Sequence, residues 1–335
     1  MNTFDLVTPR SIDDAIKAHA RSNTAQQGAN VRFIAGGTNL VDYMKIDVEK
    51  PAQLIDINSL DLATIKPTSD GGLQIGALAR NADVAHDEAV KSRYPALSQA
   101  LLSGASPQLR NMATTAGNLL QKTRCVYYRD IAARCNKRTP GSGCDALEGH
   151  HRMLAILGTS PQCIASNPSD QNVALMALEA IIHVRGVKGT RAVPIADFYR
   201  LPGDTPHIET VLEPGDLITH VTLPPPQPGT KSVYLKLRDR ASYEFALASA
   251  AVAMRSDASG RIEHVRVALG GVGTIPWRAP QAEQALLGKQ ASEAVFRSAA
   301  DAALQSARPL KENAFKVELA KRCLTQALNQ CLQNA

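Results

Sequence analysis

Four cysteines, Cys125, Cys135, Cys144 and Cys163, fall in or beside a stretch with no sustained helical or strand period. Four is the number of protein ligands of a cysteine-ligated iron–sulfur cluster and of a tetrahedral zinc ion. The spacing, C-x9-C-x8-C-x18-C, contains no CxxC pair and matches neither a zinc ribbon nor the familiar ferredoxin patterns. Ligands must be thiolates, and Arg124, Arg134 and Lys137 are sequence neighbours whose charge would favour ionised sulfur and offset a thiolate-bound cluster. Closing the chain from Cys125 to Cys163 costs on the order of 3 kcal/mol of entropy, which metal bonds offset. The residues alone leave a cluster, zinc and unrelated buried thiols open. His150 and His151 could join a zinc site, or simply be solvated on a polar loop. Cys323 and Cys331, eight apart in a helical pattern, read as core residues.

Two small-residue turns suggest a second chemistry. Ala35-Gly36-Gly37-Thr38-Asn39-Leu40 follows an apolar run, and absent Cβ atoms let backbone N–H groups approach a phosphate, with Thr38 and Asn39 as further donors. Thr114-Thr115-Ala116-Gly117-Asn118 has the same character just ahead of Cys125. Neither is GxGxxG, and no P-loop pattern occurs, so the plainer reading of each is a tight turn. Two such turns, one abutting the cysteine stretch, favour a cofactor that carries a pyrophosphate.

The elements that must position these residues show in the patterning. Ser11 with Asp14 reads as a capping box ahead of apolar Ile12, Ala15, Ile16 and Ala18, which predicts a short helix. Val31 to Ala35 and Leu54 to Ile57 predict strands of a small α/β unit around the first glycine turn. Leu73 to Leu78 predicts another strand, and Asp83 to Val90 and Ala96 to Leu102 predict helices. From Thr123 to Ser160 the pattern fails, and so long a loop in a compact domain is usually functional. Beyond it, Val173 to Ile182 predicts a helix, and Ala192 to Ile195, Leu217 to Leu223 and Val233 to Leu237 predict strands. Pro224-Pro225-Pro226 marks a boundary, since consecutive prolines cannot continue a ladder. The remainder mixes strands (Ala246 to Met254, Ile262 to Leu269) with helices (Ala279 to Leu287, Ala291 to Ala303, Asn313 to Leu332).

Composition bounds the classes. With 335 residues, 44% hydrophobic and 20% charged, the chain is neither fibrous nor largely disordered and suggests two or three domains. Its longest apolar run, Phe245 to Met254, is about half the ~20 residues a membrane helix needs and is interrupted by Ser249. The net charge of +6 comes from 37 basic against 31 acidic residues without a long basic block, so nucleic acid is not indicated. Between Lys122 and Arg138, however, six basic residues face one acid, Asp130, which suggests something anionic there. Met1 to Arg10 lacks a secretory pattern, so folding in the cytoplasm is expected, and cysteines there favour core thiols or metal ligation over disulfides.

Three segments resemble a known family: Phe33 to Leu40 (Phe-Ile-Ala-Gly-Gly-Thr-Asn-Leu), Gln108 to Leu119, and Arg238 to Ala246. They are similar to the FAD-binding subunits of the xanthine dehydrogenase family of molybdenum hydroxylases. Within that family the cysteine insertion, including Cys135 to Cys144, most resembles that of the periplasmic aldehyde oxidoreductases. The likeness runs from the N-terminus to the last helix. It implies an α+β architecture with a vanillyl-alcohol-oxidase-type (PCMH-type) FAD-binding fold. Its parts would be an N-terminal α/β lobe over 1–60, a second lobe with a mixed sheet over 61–226, carrying an iron–sulfur insertion at about 122–165, and a C-terminal α+β domain over 227–335.

The resemblance also implies roles. Arg32, Phe33, Ile34, Ala35, Gly36, Gly37, Thr38, Asn39 and Leu40, with Thr114, Thr115, Gly117 and Asn118, would hold FAD, chiefly its pyrophosphate. Asp170 would lie near the ribityl chain, although it also reads as a helix N-cap. Ile218 would pack near the flavin ring, the one candidate at the reacting end, although core packing explains it as well. Lys236 would contact FAD, although a strand lysine is often merely exposed. Cys125, Cys135, Cys144 and Cys163 would ligate a [4Fe–4S] cluster.

The implied activity is electron transfer within a complex. A molybdopterin-binding large subunit would oxidise an aldehyde, a 2Fe–2S small subunit would relay electrons, and this chain would pass them through FAD to an external acceptor. Folding in the cytoplasm leaves open export to the periplasm with a partner that carries a twin-arginine signal. Two rivals stand beside this reading: a complex acting on aromatic acyl-CoA substrates with the same cofactors, and a zinc-stabilised scaffold without redox chemistry.

Overall fold

The computed structural model describes residues 1–333. The first helix, Ile12–His19, begins where the Ser11 hydroxyl accepts a hydrogen bond from the Asp14 N–H at 3.1 Å, and it buries Ala15, Ile16 and His19. It covers a sheet made of β1 (Asp5–Val7), β2 (Val31–Ile34) and β3 (Gln53–Asp56), with β3 central and parallel to both neighbours. Parallel neighbours need crossovers, and Ile12–His19 and the short helix Leu40–Lys45 supply them. The first glycine turn lies between β2 and Leu40–Lys45, at the carboxyl end of a parallel strand.

A second sheet contains β4 (Ile65–Pro67), β5 (Leu73–Gly76), β6 (Ile181–Gly186), β7 (Gly189–Pro194) and β8 (Leu217–Leu223), in the order β4-β5-β8-β6-β7. Every pair in it is antiparallel, which corrects the expected mixed sheet. The reason is connection length: β4–β5 and β6–β7 are joined by tight turns, and a short turn returns a strand antiparallel. The predicted helix over Val173 to Ile182 also divides. Asp170–Ala177 is helical, Glu179 takes a positive φ of 53°, and β-branched Ile181, Ile182 and Val184 enter β6.

The third sheet, β9 (Lys231–Leu237), β10 (Ala248–Ser256), β11 (Ile262–Gly270) and β12 (Trp277–Arg278), is antiparallel in the order β12-β11-β10-β9. Helices Pro280–Leu286 and Phe315–Gln333 pack on it, and Glu293–Leu304 packs on those two helices. Helices Pro95–Ser103 and Asp170–Ala177 pack against its other face and against each other, and share a core with the second sheet. That placement buries β10 on both faces, so its sequence, Ala-Ser-Ala-Ala-Val-Ala-Met, shows no alternation.

The cysteine stretch contains one regular element, the four-residue helix Val126–Arg129, and is otherwise turns pinned by a bridge between Cys135 and Cys144. Buried Lys316 fastens it to the C-terminal helix, donating to the Met153, Leu154 and Gly271 carbonyls at 3.2, 3.0 and 2.7 Å. Three acceptors match the three N–H donors of an ammonium group.

Candidate functional site

Beyond β2 the chain turns sharply at Ala35-Gly36-Gly37-Thr38-Asn39. Gly37 has φ of 72°, a conformation that favours glycine. A Cβ on Gly36 would stand 1.8 Å from the Met112 carbonyl oxygen, so this position admits no side chain. The Gly36, Gly37, Thr38 and Asn39 N–H groups donate no hydrogen bond among the described residues, while the Gly37 and Asn39 carbonyls accept from Val41 and Tyr43. A row of unspent donors at one turn is an anion cradle.

The second turn faces the first across a groove. Thr114 caps the helix Thr115–Leu119 by accepting from the Gly117 N–H at 3.2 Å. Residues Arg32 to Leu40, with Thr114 and Gly117, line this groove, which holds about 900 Å³ of empty space including its open mouth. Thr115 and Asn118 stand behind the wall. Thr115 donates to the Ala79 carbonyl at 3.1 Å, and Asn118 accepts from the Ser169 hydroxyl at 2.7 Å. These two therefore position the turn.

His19, Glu49 and Asp216 also line the groove, none of which the sequence singled out. His19 stacks on Phe33 with ring centroids 4.2 Å apart, and its Nδ1 accepts from the Gly215 N–H at 2.9 Å. Burial, reinforced by the Arg32 charge, pushes its pKa down to about 4 and keeps the ring neutral. Arg32 is held by both Glu49 oxygens at 3.1 Å.

Asp170, Lys236 and Ile218 lie outside this groove. Asp170 lines a separate cavity with Arg124, Ser169 and Phe245. Its carboxylate pairs with Lys236 at 2.8 Å and accepts from the Tyr234 hydroxyl, and Lys236 donates also to the Ser103 carbonyl at 3.1 Å. Both members of the ion pair are buried, so Lys236 is not the exposed strand lysine of the plainer reading. Ser169, not Asp170, caps the helix. Ile218 is buried in the core opposite Val184 and lines none of the cavities described here.

The four cysteines converge in one small core with Tyr43, Val48, Tyr128, Leu154 and Ile164. Cys125, Cys135 and Cys163 are buried and Cys144 half-buried. Burial pushes the Cys125 thiol up to about 12 and the Cys163 thiol up to about 11. The expected activation by neighbouring cations is thereby corrected. Arg124 turns to Asn39, Asp42 and Tyr43, and Arg134 pairs with Asp145, while Lys137 alone of the three opposes the rise at Cys163. His150 and His151 are tied to Glu312 and take no part in this core.

The basic excess from Lys122 to Arg138 is also resolved, by acids distant in sequence. Arg124 and Arg129 share Asp42, Lys122 and Lys137 share Glu209, and Arg138 donates to the Tyr127, Tyr128 and Ala133 carbonyls. Burial by itself would raise the Glu209 pKa, and the two lysines reverse this and hold it at about 2. Tyr43 joins the two centres. It lines the groove, belongs to the cysteine core, and its hydroxyl donates to the Thr123 carbonyl at 2.6 Å.

Residues 2–226 match the family described as FAD binding domain in molybdopterin dehydrogenase, and residues 233–331 that described as CO dehydrogenase flavoprotein C-terminal domain. The chain is 52% identical over 313 residues to the aldehyde oxidoreductase FAD-binding subunit PaoB of Escherichia coli strain K12, covering 93% of this chain and 95% of that one. It belongs to the FAD-binding subunits of the molybdenum hydroxylase family. Such chains are oxidoreductase subunits. A second relative of this family, the glyceraldehyde dehydrogenase medium chain of Sulfolobus acidocaldarius, is 29% identical over 89% of this chain and 85% of its own. Among solved structures, a carbon monoxide dehydrogenase from Hydrogenophaga pseudoflava, lacking the Mo-pyranopterin moiety of its cofactor, superposes with a TM-score of 0.76 at 27% identity. That match covers 99% of this chain and 98% of the other, so the likeness takes in both the PCMH-type FAD-binding fold and the C-terminal domain that follows it.

Two outcomes follow from the geometry of this groove. Gly36→Ala drives a methyl group into the Met112 carbonyl, and flavin retained per protein after gel filtration, read by absorbance, is expected to fall at least about tenfold; full retention refutes the turn's role. His19 has a folded pKa near 4 against 6.5 unfolded, so its stability contribution is complete above 6.5 and lost as pH falls through 4. Urea unfolding at pH 7 and pH 4 should show wild type losing on the order of 3 kcal/mol more than His19→Gln, and equal losses in both proteins contradict this.

Proposed function

We propose that this chain is the electron-outlet subunit of a molybdenum-containing aldehyde oxidoreductase, holding FAD in the groove and a [4Fe–4S] cluster on Cys125, Cys135, Cys144 and Cys163. A molybdopterin-binding large subunit oxidises the aldehyde, a 2Fe–2S small subunit relays the electrons, and an external acceptor takes them from this chain. The observation that carries the reading is the contact of two centres through one residue: Tyr43 walls both the dinucleotide groove and the four-thiol core.

The groove fits FAD by its unspent donors. The Gly36 to Asn39 N–H groups have no acceptor among the described residues, and a pyrophosphate would supply two negative charges for them. FAD supplies reversible one- and two-electron chemistry that no side chain offers. The protein's own residues bind and orient. Phe33, stacked on neutral His19, presents an apolar face at the groove. Asp170, fixed by Lys236 and Tyr234, presents a carboxylate in the cavity beside Phe245, suited to a hydroxylated chain.

Four cysteines gathered in one small core match the ligand count of a cysteine-ligated iron–sulfur cluster, while among the described residues no group of three His, Cys, Asp or Glu side chains is placed to hold a metal ion. The reading includes folding in the cytoplasm and export to the periplasm with a partner that carries a twin-arginine signal. No helix among the described residues is long and apolar enough to cross a membrane.

Iron and acid-labile sulfide analysis of the purified complex tests the assignment. Wild type should contain both in about equal amounts, as a cubane requires, and Cys135→Ser should lose most of the iron assigned to this chain while the flavin remains measurable. Unchanged iron in Cys135→Ser, or stoichiometric zinc without sulfide in wild type, overturns it.

A further inference from the structure

His19 has one ring nitrogen committed and one free. It closes the helix Ile12–His19, is 4% exposed, and stacks on Phe33. The Gly215 N–H lies 2.9 Å from its Nδ1, and because a backbone N–H only donates, Nδ1 must offer a lone pair. A neutral imidazole carries a single proton, which this contact places on Nε2. Gly215 is the one hydrogen-bond partner of the ring among the described residues, so the Nε2–H is unspent. Unlike the Arg32 Nε, which is sealed inside the protein without a partner, Nε2 keeps some surface. The space beside it is the groove, whose wall His19 forms with Phe33, Leu212 and Asp216.

The glycine turn gives the groove two directions. At the far end of the turn Asn39 accepts from Arg124, which lines the cavity of Asp170 and Phe245. At the near end Phe33 carries His19. A dinucleotide whose pyrophosphate lies on the turn extends both ways, so with its hydroxylated chain toward Asp170 its adenosine falls at the His19 end. The wall there suits a purine: Phe33 and Leu212 are apolar, and His19 supplies a donor where adenine has ring nitrogens that only accept. We propose that His19 is a specificity-determining residue of the groove, its Nε2–H donating to a ring nitrogen of the adenine. This inference rests on the FAD reading above. Gly215 acts through His19, as a positioning residue that holds the ring in the tautomer with its donor toward the groove.

Two substitutions separate the nitrogens. The Asn amide reaches only as far as Nδ1, so His19→Asn can accept from Gly215 but offers no donor at the Nε2 position. The Gln amide reaches as far as Nε2, so His19→Gln keeps a donor there and gives up Gly215. Both lose the stack on Phe33. The purified complex, stripped of flavin, is titrated with FAD by flavin fluorescence and with ADP by competition, ADP carrying adenine and pyrophosphate without flavin. His19→Asn should weaken FAD and ADP about tenfold, the worth of one neutral hydrogen bond, and His19→Gln should stay within about threefold of wild type. An equal loss in the two variants, or a larger one in His19→Gln, makes the Gly215 contact or the stack the whole role of His19 and overturns the inference. FAD binding unchanged in His19→Asn overturns it too, as does weakened FAD binding with ADP competing as it does in wild type. Should His19→Asn not assemble, His19→Leu, with neither polar group, is set against His19→Gln, and equal FAD affinity in those two overturns the inference. Gly36→Ala in the same assay tells the two readings apart. If it binds FAD as wild type does, the groove reading fails and this inference with it; if it loses FAD while His19→Asn does not, the inference alone fails.

Discussion

The Arg124 guanidinium is the joint on which both halves of the site depend. It donates to Asn39 at the end of the glycine turn, to Asp42 at 3.2 Å and to the Tyr43 hydroxyl at 3.1 Å, and it lies over the Tyr43 and Phe245 rings. Its own backbone immediately precedes Cys125. The helix Leu40–Lys45, which could not persist alone at six residues, is thus fixed at its start by the turn and on its flank by the cysteine stretch. A planar guanidinium can serve all three partners while its face lies over two aromatic rings, a combination a compact ammonium group does not offer. The groove beside the glycine turn and the thiol core are therefore one construction, not two sites that happen to be neighbours.

Charge and burial are balanced across long sequence distances in the same region. Asp42 receives two arginines from beyond position 120, and Arg129, its closest partner, holds its carboxyl below the usual carboxylate range. Glu209 receives two lysines that lie 87 and 72 residues earlier. These pairs are partly enclosed, where removal of one partner leaves the other uncompensated, so they fix geometry more than they add net stability. The thiols show the complementary case. Burial favours their protonated form, and ligation must supply the free energy that ionises them.

Much of the site was legible from local sequence because its chemistry is local. The glycine turn needs residues without Cβ at fixed positions, and Gly36 against Met112 shows why. The cysteine stretch was legible by the failure of periodicity, and its four thiols gather in one core. The strands β2, β3, β8 and β11 were legible as compact apolar runs. What was not legible depends on contacts between distant segments: Glu209, His19 and Tyr43 look ordinary in sequence and acquire roles when Lys122, Phe33 and Thr123 are brought against them. The same holds for Lys236, whose burial beside Asp170 follows from strand pairing that no local pattern encodes. The boundary between Ala177 and Ile181 was missed because apolar residues continue through it, and the break lies in the backbone at Glu179.

In this account the chain does little chemistry with its own side chains. It holds donors, a neutral ring, a fixed carboxylate and four thiols at set positions. The most direct measurement is the visible spectrum of the purified complex under anaerobic conditions before and after addition of an aldehyde. The account predicts overlapping flavin and iron–sulfur absorbance that bleaches on addition and returns when an oxidant is admitted. A spectrum with neither absorbance, or one that the substrate leaves unchanged while the molybdenum subunit turns over, would contradict it.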